Sequence, residues 1–129
     1  MVRLFSPPDI CKPFSRYSHG AVVDGPARWL HISGQVGAKP DGTIEEGFEA
    51  QAKRCYANAI AILRAADMDI TDIVKTNIFL TRATDVMAGR PIREEALKGH
   101  QAASTLLIVS ALARPDLLIE VELIAAKAL

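Results

Sequence analysis

The chain has 129 residues, half of them hydrophobic, with 15 basic against 15 acidic side chains and no net charge. That length fits one domain over 1–129, able to bury a core of ordinary size without disulfides or metals. Balanced charge, no basic tract and 5% aromatic residues lack the footprint of a nucleic-acid binder, so no nucleic-acid partner is expected.

The opening stretch MVRLFSPPDICKPFSRYSHG holds no apolar run of signal-peptide length. No segment reaches the ~20 apolar residues of a membrane-crossing helix. The expectation is a cytoplasmic protein with no membrane partner. Pro7, Pro8 and Pro13 each fix φ and disfavour helix at the residue before, so residues 1–18 read as extended.

Two β-rich runs follow, HGAVVDG and RWLHISGQVG, with Asp24, Gly25 and Pro26 between them. The pattern predicts a hairpin. Gly34 and Gly37 mark a bulge or a close backbone approach in the second run, and KPDGT is a further turn. From Phe48 the apolar positions Ala52, Cys55, Tyr56, Ala59, Ile62, Leu63 and Ala66 recur every three or four residues. That spacing predicts a helix fading near Asp67–Asp69, with Gln51, Lys53, Arg54, Asn58 and Arg64 on or beside its wet face. Cys55 then lies on the apolar stripe, where a free thiol behaves as a small hydrophobe, and a disulfide to Cys11 is not expected.

DIVKTNIFLT alternates Val74, Thr76, Ile78 and Leu80 against Lys75, Asn77, Phe79 and Thr81, the period of a strand. Asp85 is placed to cap a second helix running to Leu97, with Gly89 and Pro91 disturbing its early turns and Gly99 stopping it. Two strands close the chain, TLLIVSAL and LLIEVELIAA, joined by the turn ARPD. The order is β-β-α-β-α-β-β: a mixed α/β (α+β) sheet with two helices on one face. Leu106, Leu107, Ile108 and Val109 in succession put apolar residues on both faces of a strand, which predicts an oligomer covering the bare face.

The strings FSRYSHG (14–20), LHISGQVG (30–37), VKTNIFLT (74–81), STLLIVSAL (104–112) and LIEVELIAA (118–126), in this order, resemble the Rid (reactive intermediate deaminase) family, also called YjgF or L-PSP. The resemblance implies a chorismate-mutase-like (YjgF/RidA-like) fold, a homotrimer, and a small-molecule cleft at each subunit interface. It implies hydrolysis of enamines and imines with release of ammonia, with no metal or organic cofactor. Deaminating members hold the substrate carboxylate with an arginine at the start of the strand resembling STLLIVSAL, where a guanidinium forks onto two oxygens. Here that position falls on Ser104, or on Ala103 if one residue is inserted. Loss of such a contact costs about 1.5–3 kcal/mol.

By the same resemblance Glu120 is the acid that handles the proton of the attacking water. Glu120 and Glu122, two apart, project from one face of a strand. Tyr17 matches a cleft tyrosine and Ser33 and Gly34 a segment whose backbone faces the ligand; Ser104 stands at the altered clamp, with Thr105 beside it as a further ligand-binding candidate. Arg90 lies where deaminating members often carry an asparagine and is a candidate for the missing positive charge. Metal ligation is not expected, because His19, His31 and His100 lack ligand spacing and neither cysteine stands near them at metal-site spacing. Ser104 and His100 have no orienting acid at recognisable spacing, so a nucleophilic triad is not expected. The reading is an enamine or imine deaminase acting on a substrate without the usual carboxylate. The alternatives are a non-catalytic metabolite- or protein-binding trimer and, disfavoured by the charge balance, a ribonuclease or translation inhibitor.

Overall fold

The computed structural model describes residues 2–129. In chain order it contains β1 (Val2–Phe5), β2 (Gly20–Val23), β3 (Ala27–Val36), α1 (Phe48–Ala65), β4 (Ile73–Leu80), α2 (Val86–Ala96), β5 (Ala103–Ile108) and β6 (Ile119–Ala128). Short 3-10 turns at Ile70–Asp72 and Ala83–Asp85 precede β4 and α2. The expected α+β order is present, with β1 added from the segment expected only to be extended.

The main sheet is mixed, ordered β3-β6-β4-β5. Its β4–β5 pair is parallel, so a crossover is required, and α2 provides it. That crossover carries β5 to the outer side of β4 and leaves the place beside β3 open to β6. The ARPD turn therefore does not join neighbouring strands. The expected hairpin of β2 and β3 is also corrected: β2 pairs with β1, from Val2↔Val23 to Phe5↔Gly20. The ten residues of β3 instead match the ten of β6, from Ala27↔Ala128 to Val36↔Glu120. A long ladder outweighs the local reversal at Gly25 (φ 79°). Gly20 assists β1, because a side chain there would meet the Phe5 ring at 2.6 Å.

The core lies between the sheet and α1. Ala52, Cys55, Ala59 and Leu63 of α1 are fully buried against Ile73, Ile78 and Leu80 of β4 and Val121, Leu123 and Ala125 of β6. Each such large aliphatic side chain contributes about 1.5–3 kcal/mol on burial. The alternation along β4 and β6 follows the expected period: even-numbered β4 and odd-numbered β6 residues face the helices.

Gln51 departs from its expected wet face; it is 2% exposed. Its amide donates to the carbonyls of Glu45 (3.1 Å) and Asp116 (2.9 Å) and accepts from Leu118 N–H (2.8 Å). Periodicity reads side-chain polarity and misses that two loops bring unpaired backbone groups to this helix. Asn58 is drawn in likewise, onto the carbonyls of Val36 and Ala38. Gly37 permits the approach, since a Cβ there would lie 2.7 Å from the Gln51 Cα.

Asp85 stands at the N-cap of α2 but makes no capping bond. Its carboxylate pairs instead with Arg82 Nε at 2.8 Å, a stronger, charge-assisted contact. α2 runs through Gly89 and Pro91 without a break, and Gly89 packs close to the Phe48 ring of α1. Lys98 and Gly99, both with positive φ, stop it.

Candidate active site

Glu120 opens β6 on the face turned away from the helices. It pairs across the strands with Phe79 of β4 and Val36 of β3. The β3 register shifts between Ile32 and Gln35, the expected bulge, and Gly34 sits in it directly over Glu120. A Cβ on Gly34 would stand 2.7 Å from the Glu120 carboxyl carbon. A side chain at position 34 would therefore displace the Glu120 carboxylate from the place it now fills.

The two glutamates of this face differ in their surroundings. Glu122 accepts a bond from Asn77 Nδ2 at 3.0 Å. Glu120 is half-buried and has no hydrogen-bond or ion-pair partner among the described residues. Its charge acts inward on Cys55, whose thiol is pushed up to about 12, first by burial and then by Glu120. Cys55 is thus a packed, protonated thiol with Sγ 3.6 Å from the Ile119 carbonyl, and Cys11 is exposed.

The start of β5 forms a second group. Ser18 N–H donates to Ala102 O at 3.2 Å and lays the N-terminal segment along β5. This places Tyr17 there, its hydroxyl accepting from Phe14 N–H and its ring edge-on to His19 at 6.2 Å. Ser104 faces the helices and shares a hydrogen bond with Thr76 at 2.8 Å. Thr105 faces the other way, toward the side of Glu120, and accepts from Lys75 Nζ at 2.8 Å. Neither Ser104 nor Thr105 is bonded to a guanidinium among the described residues, and Thr105 meets an ammonium instead. It offers a point charge where a fork would hold two oxygens. His100 Nε2, 2.8 Å from Ile73 O, acts in that contact as donor to a backbone carbonyl.

Arg90 lies elsewhere. It is half-buried on α2 and lines a recess on the helix side of the sheet with Arg93, Tyr56 and Leu106. The candidate residues thus form four separate groups: Glu120 with Ser33 and Gly34, Tyr17 with Thr105, Ser104 with Thr76, and Arg90. β4 separates β6 from β5, so the first two groups are about two strand spacings, or roughly 10 Å, apart. Arg93 and Lys75 carry no motif in the sequence; the spacing of three between Arg90 and Arg93 is the signal that pairs them on one helix face.

The family model described as Endoribonuclease L-PSP matches residues 9–127. The chain belongs to the Rid/L-PSP family. Human 2-iminobutanoate/2-iminopropanoate deaminase is 32% identical over 111 residues, covering 84% of this chain and 78% of the human protein. YyfB of Yersinia pestis, described as a member of the conserved Rid protein family, matches in structure with a TM-score of 0.88 and 28% identity, over 98% of each chain. The YjgF product of E. coli matches with a TM-score of 0.73 and 27% identity, over 97% of this chain and 98% of that one.

A Gly34→Ala variant should keep its fold, losing roughly 1 kcal/mol or less because the obstructed atoms end a flexible side chain. Its Glu120 carboxylate must move. Catalytic or ligand-binding function should therefore fall much further than the melting temperature, a split read by parallel thermal and activity assays.

Proposed function

We propose that this Rid protein is a cofactor-free imine or enamine hydrolase whose substrate does not present the usual α-carboxylate to an arginine fork at β5. The observation that carries the reading is Glu120: half-buried, unpaired among the described residues, and packed so closely against Gly34 that a Cβ there would displace its carboxylate. A free carboxylate within reach of a ligand suits proton transfer. On the N-protonated imine, Glu120 takes a proton from water as the oxygen adds to the C=N carbon, giving a neutral carbinolamine. It returns that proton to the amino nitrogen and then takes the hydroxyl proton as the C–N bond breaks, leaving a carbonyl and ammonia. The deaminase names of the relatives support the reaction class. The altered clamp supports the altered substrate, because Ser104 and Thr105 are neutral and already bonded to Thr76 and Lys75.

The cleft belongs between subunits. β3 and β5 are the outer strands of the main sheet. The Glu120–Gly34 group lies toward the β3 side, and Tyr17 and Thr105 lie at β5. Joining the β5 side of one protomer to the β3 side of the next brings the groups together, and repetition closes a ring. Trp29, Leu107 and Ile108, each about half exposed, are apolar surface for such contacts. Three chains close the ring in this proposal. Light scattering on the purified protein should give a trimer, and a monomer at working concentration contradicts the shared cleft.

The hydrolase reading is tested by ammonia release from imines and enamines generated in situ by an amino-acid oxidase or a dehydratase. Turnover above the uncatalysed rate supports it. Absence of turnover across the panel, with the same compounds still bound, replaces it with a binding trimer.

A further inference from the structure

The recess between α2 and the sheet is rich in hydrogen-bond donors and poor in acceptors. Arg93, in the last turn of α2, is 7% exposed, and its one hydrogen bond goes to Ser15 Oγ at 3.0 Å. Arg90, one turn earlier, reaches the Met87 thioether at 3.2 Å, a weak acceptor. Tyr56 of α1 is 2% exposed, and its phenol has no hydrogen-bond partner among the described residues. All three line the same recess, whose other walls include Leu80, Val86 and Leu106. Neither guanidinium has a carboxylate within ion-pair distance among the described residues. Glu94, the neighbour of Arg93 in sequence, is taken by Arg16 at 2.8 Å.

An arginine carries five N–H donors, and one serine hydroxyl answers one of them. A buried cation without a counter-charge is strongly unfavourable. Burial pushes the Tyr56 phenol up, against the opposing pull of Arg93, so the phenol remains a donor. The three groups share one deficiency: each lacks an anionic acceptor. We propose that Arg90, Arg93 and Tyr56 bind the carboxylate of a small organic acid, at a site apart from Glu120. The enclosed part of the recess is about 10 Å³, room for one water at most. An acid therefore meets the donors at the mouth, where Arg90 is half-buried, with no more than one carboxylate oxygen reaching inward. Two guanidiniums one helical turn apart supply the positive charge for it. Glu120 projects from the opposite face of the sheet. An acid held here does not align an imine carbon with Glu120 of the same protomer.

Calorimetric and thermal-shift titrations of the full chain with acetate and propionate test the site, with sodium chloride holding ionic strength fixed and propionamide as the uncharged analogue. Saturable binding of the acids that raises the melting temperature, with no shift from propionamide, is the expected result. Arg90→Met should weaken acid binding about tenfold or more, the scale of one lost charge-assisted bond. Arg93→Met should weaken it further, and if that variant fails to fold, the half-buried Arg90 still carries the test. Equal shifts from propionamide and propionate, an unchanged affinity in Arg90→Met, or chloride competing as strongly as the acids would each overturn the proposal. Glu120→Gln should bind acid as the wild type does, so this result is separable from that of the hydrolase assay.

Discussion

Glu120→Gln should lower imine hydrolysis by about 10²–10⁴-fold, the usual contribution of a positioned acid–base group. The amide matches the carboxylate in size, so the space under Gly34 stays filled, but it cannot accept the proton of water. Because Glu120 has no protein partner among the described residues, the exchange breaks no hydrogen bond. Stability should change by less than about 0.5 kcal/mol. Comparing initial rates of ammonia release with thermal unfolding separates the two effects. A variant that retains wild-type turnover takes Glu120 out of the chemistry.

Gln51→Leu is expected to cost about 2–4 kcal/mol of stability, and to lower the melting temperature by roughly 10 °C. Leucine fills the volume but leaves the carbonyls of Glu45 and Asp116 and the N–H of Leu118 without their partner. The loss is held below the full penalty for three buried groups, because a surface recess beside Glu45, Gln51 and Asp116 lets water reach them. Gln51 ties α1 to the loop before it and to the start of β6, two positions from Glu120. Calorimetric unfolding reads the loss directly, and a drop below about 1 kcal/mol would mean that the three bonds are replaced by water at little cost.

The sequence pattern and the structure part company where tertiary contacts overrule local ones. The α1 stripe and the alternation of β4 are set by spacing, the bulge at Gly34 is marked by its glycine, and the structure carries all three. The hairpin expected at Asp24–Pro26 rests on turn chemistry, which says where a chain reverses and not which strand it then joins. The β3–β6 ladder is contributed by residues about a hundred positions apart in the chain and leaves no local trace. Gln51 shows the same limit on a helix: its polarity reads as wet, while its burial depends on two distant loops. Asp85 fits a capping pattern, yet Arg82, three residues earlier, takes its carboxylate.

At the candidate site, Glu120 and Gly34 are legible as motif positions, but their contact is not, because it depends on the register of β3 against β6. Ser104 and Thr105 look equivalent in sequence. Strand alternation sends Ser104 to the helix side with Thr76 and Thr105 to the open face with Lys75. Arg93 and Tyr56 belong to different helices, and only the packing of α1 on α2 brings them to one recess.

The most direct measurement compares kcat/KM for ammonia release from 2-iminobutanoate with that from its counterpart bearing a primary amide in place of the carboxylate. With no arginine fork at β5, the neutral imine should be turned over at least as well as the charged one. A preference of about 10–100-fold for the carboxylate substrate, the value of one bidentate charge-assisted contact, would show that this cleft still grips an α-carboxylate and would contradict the account.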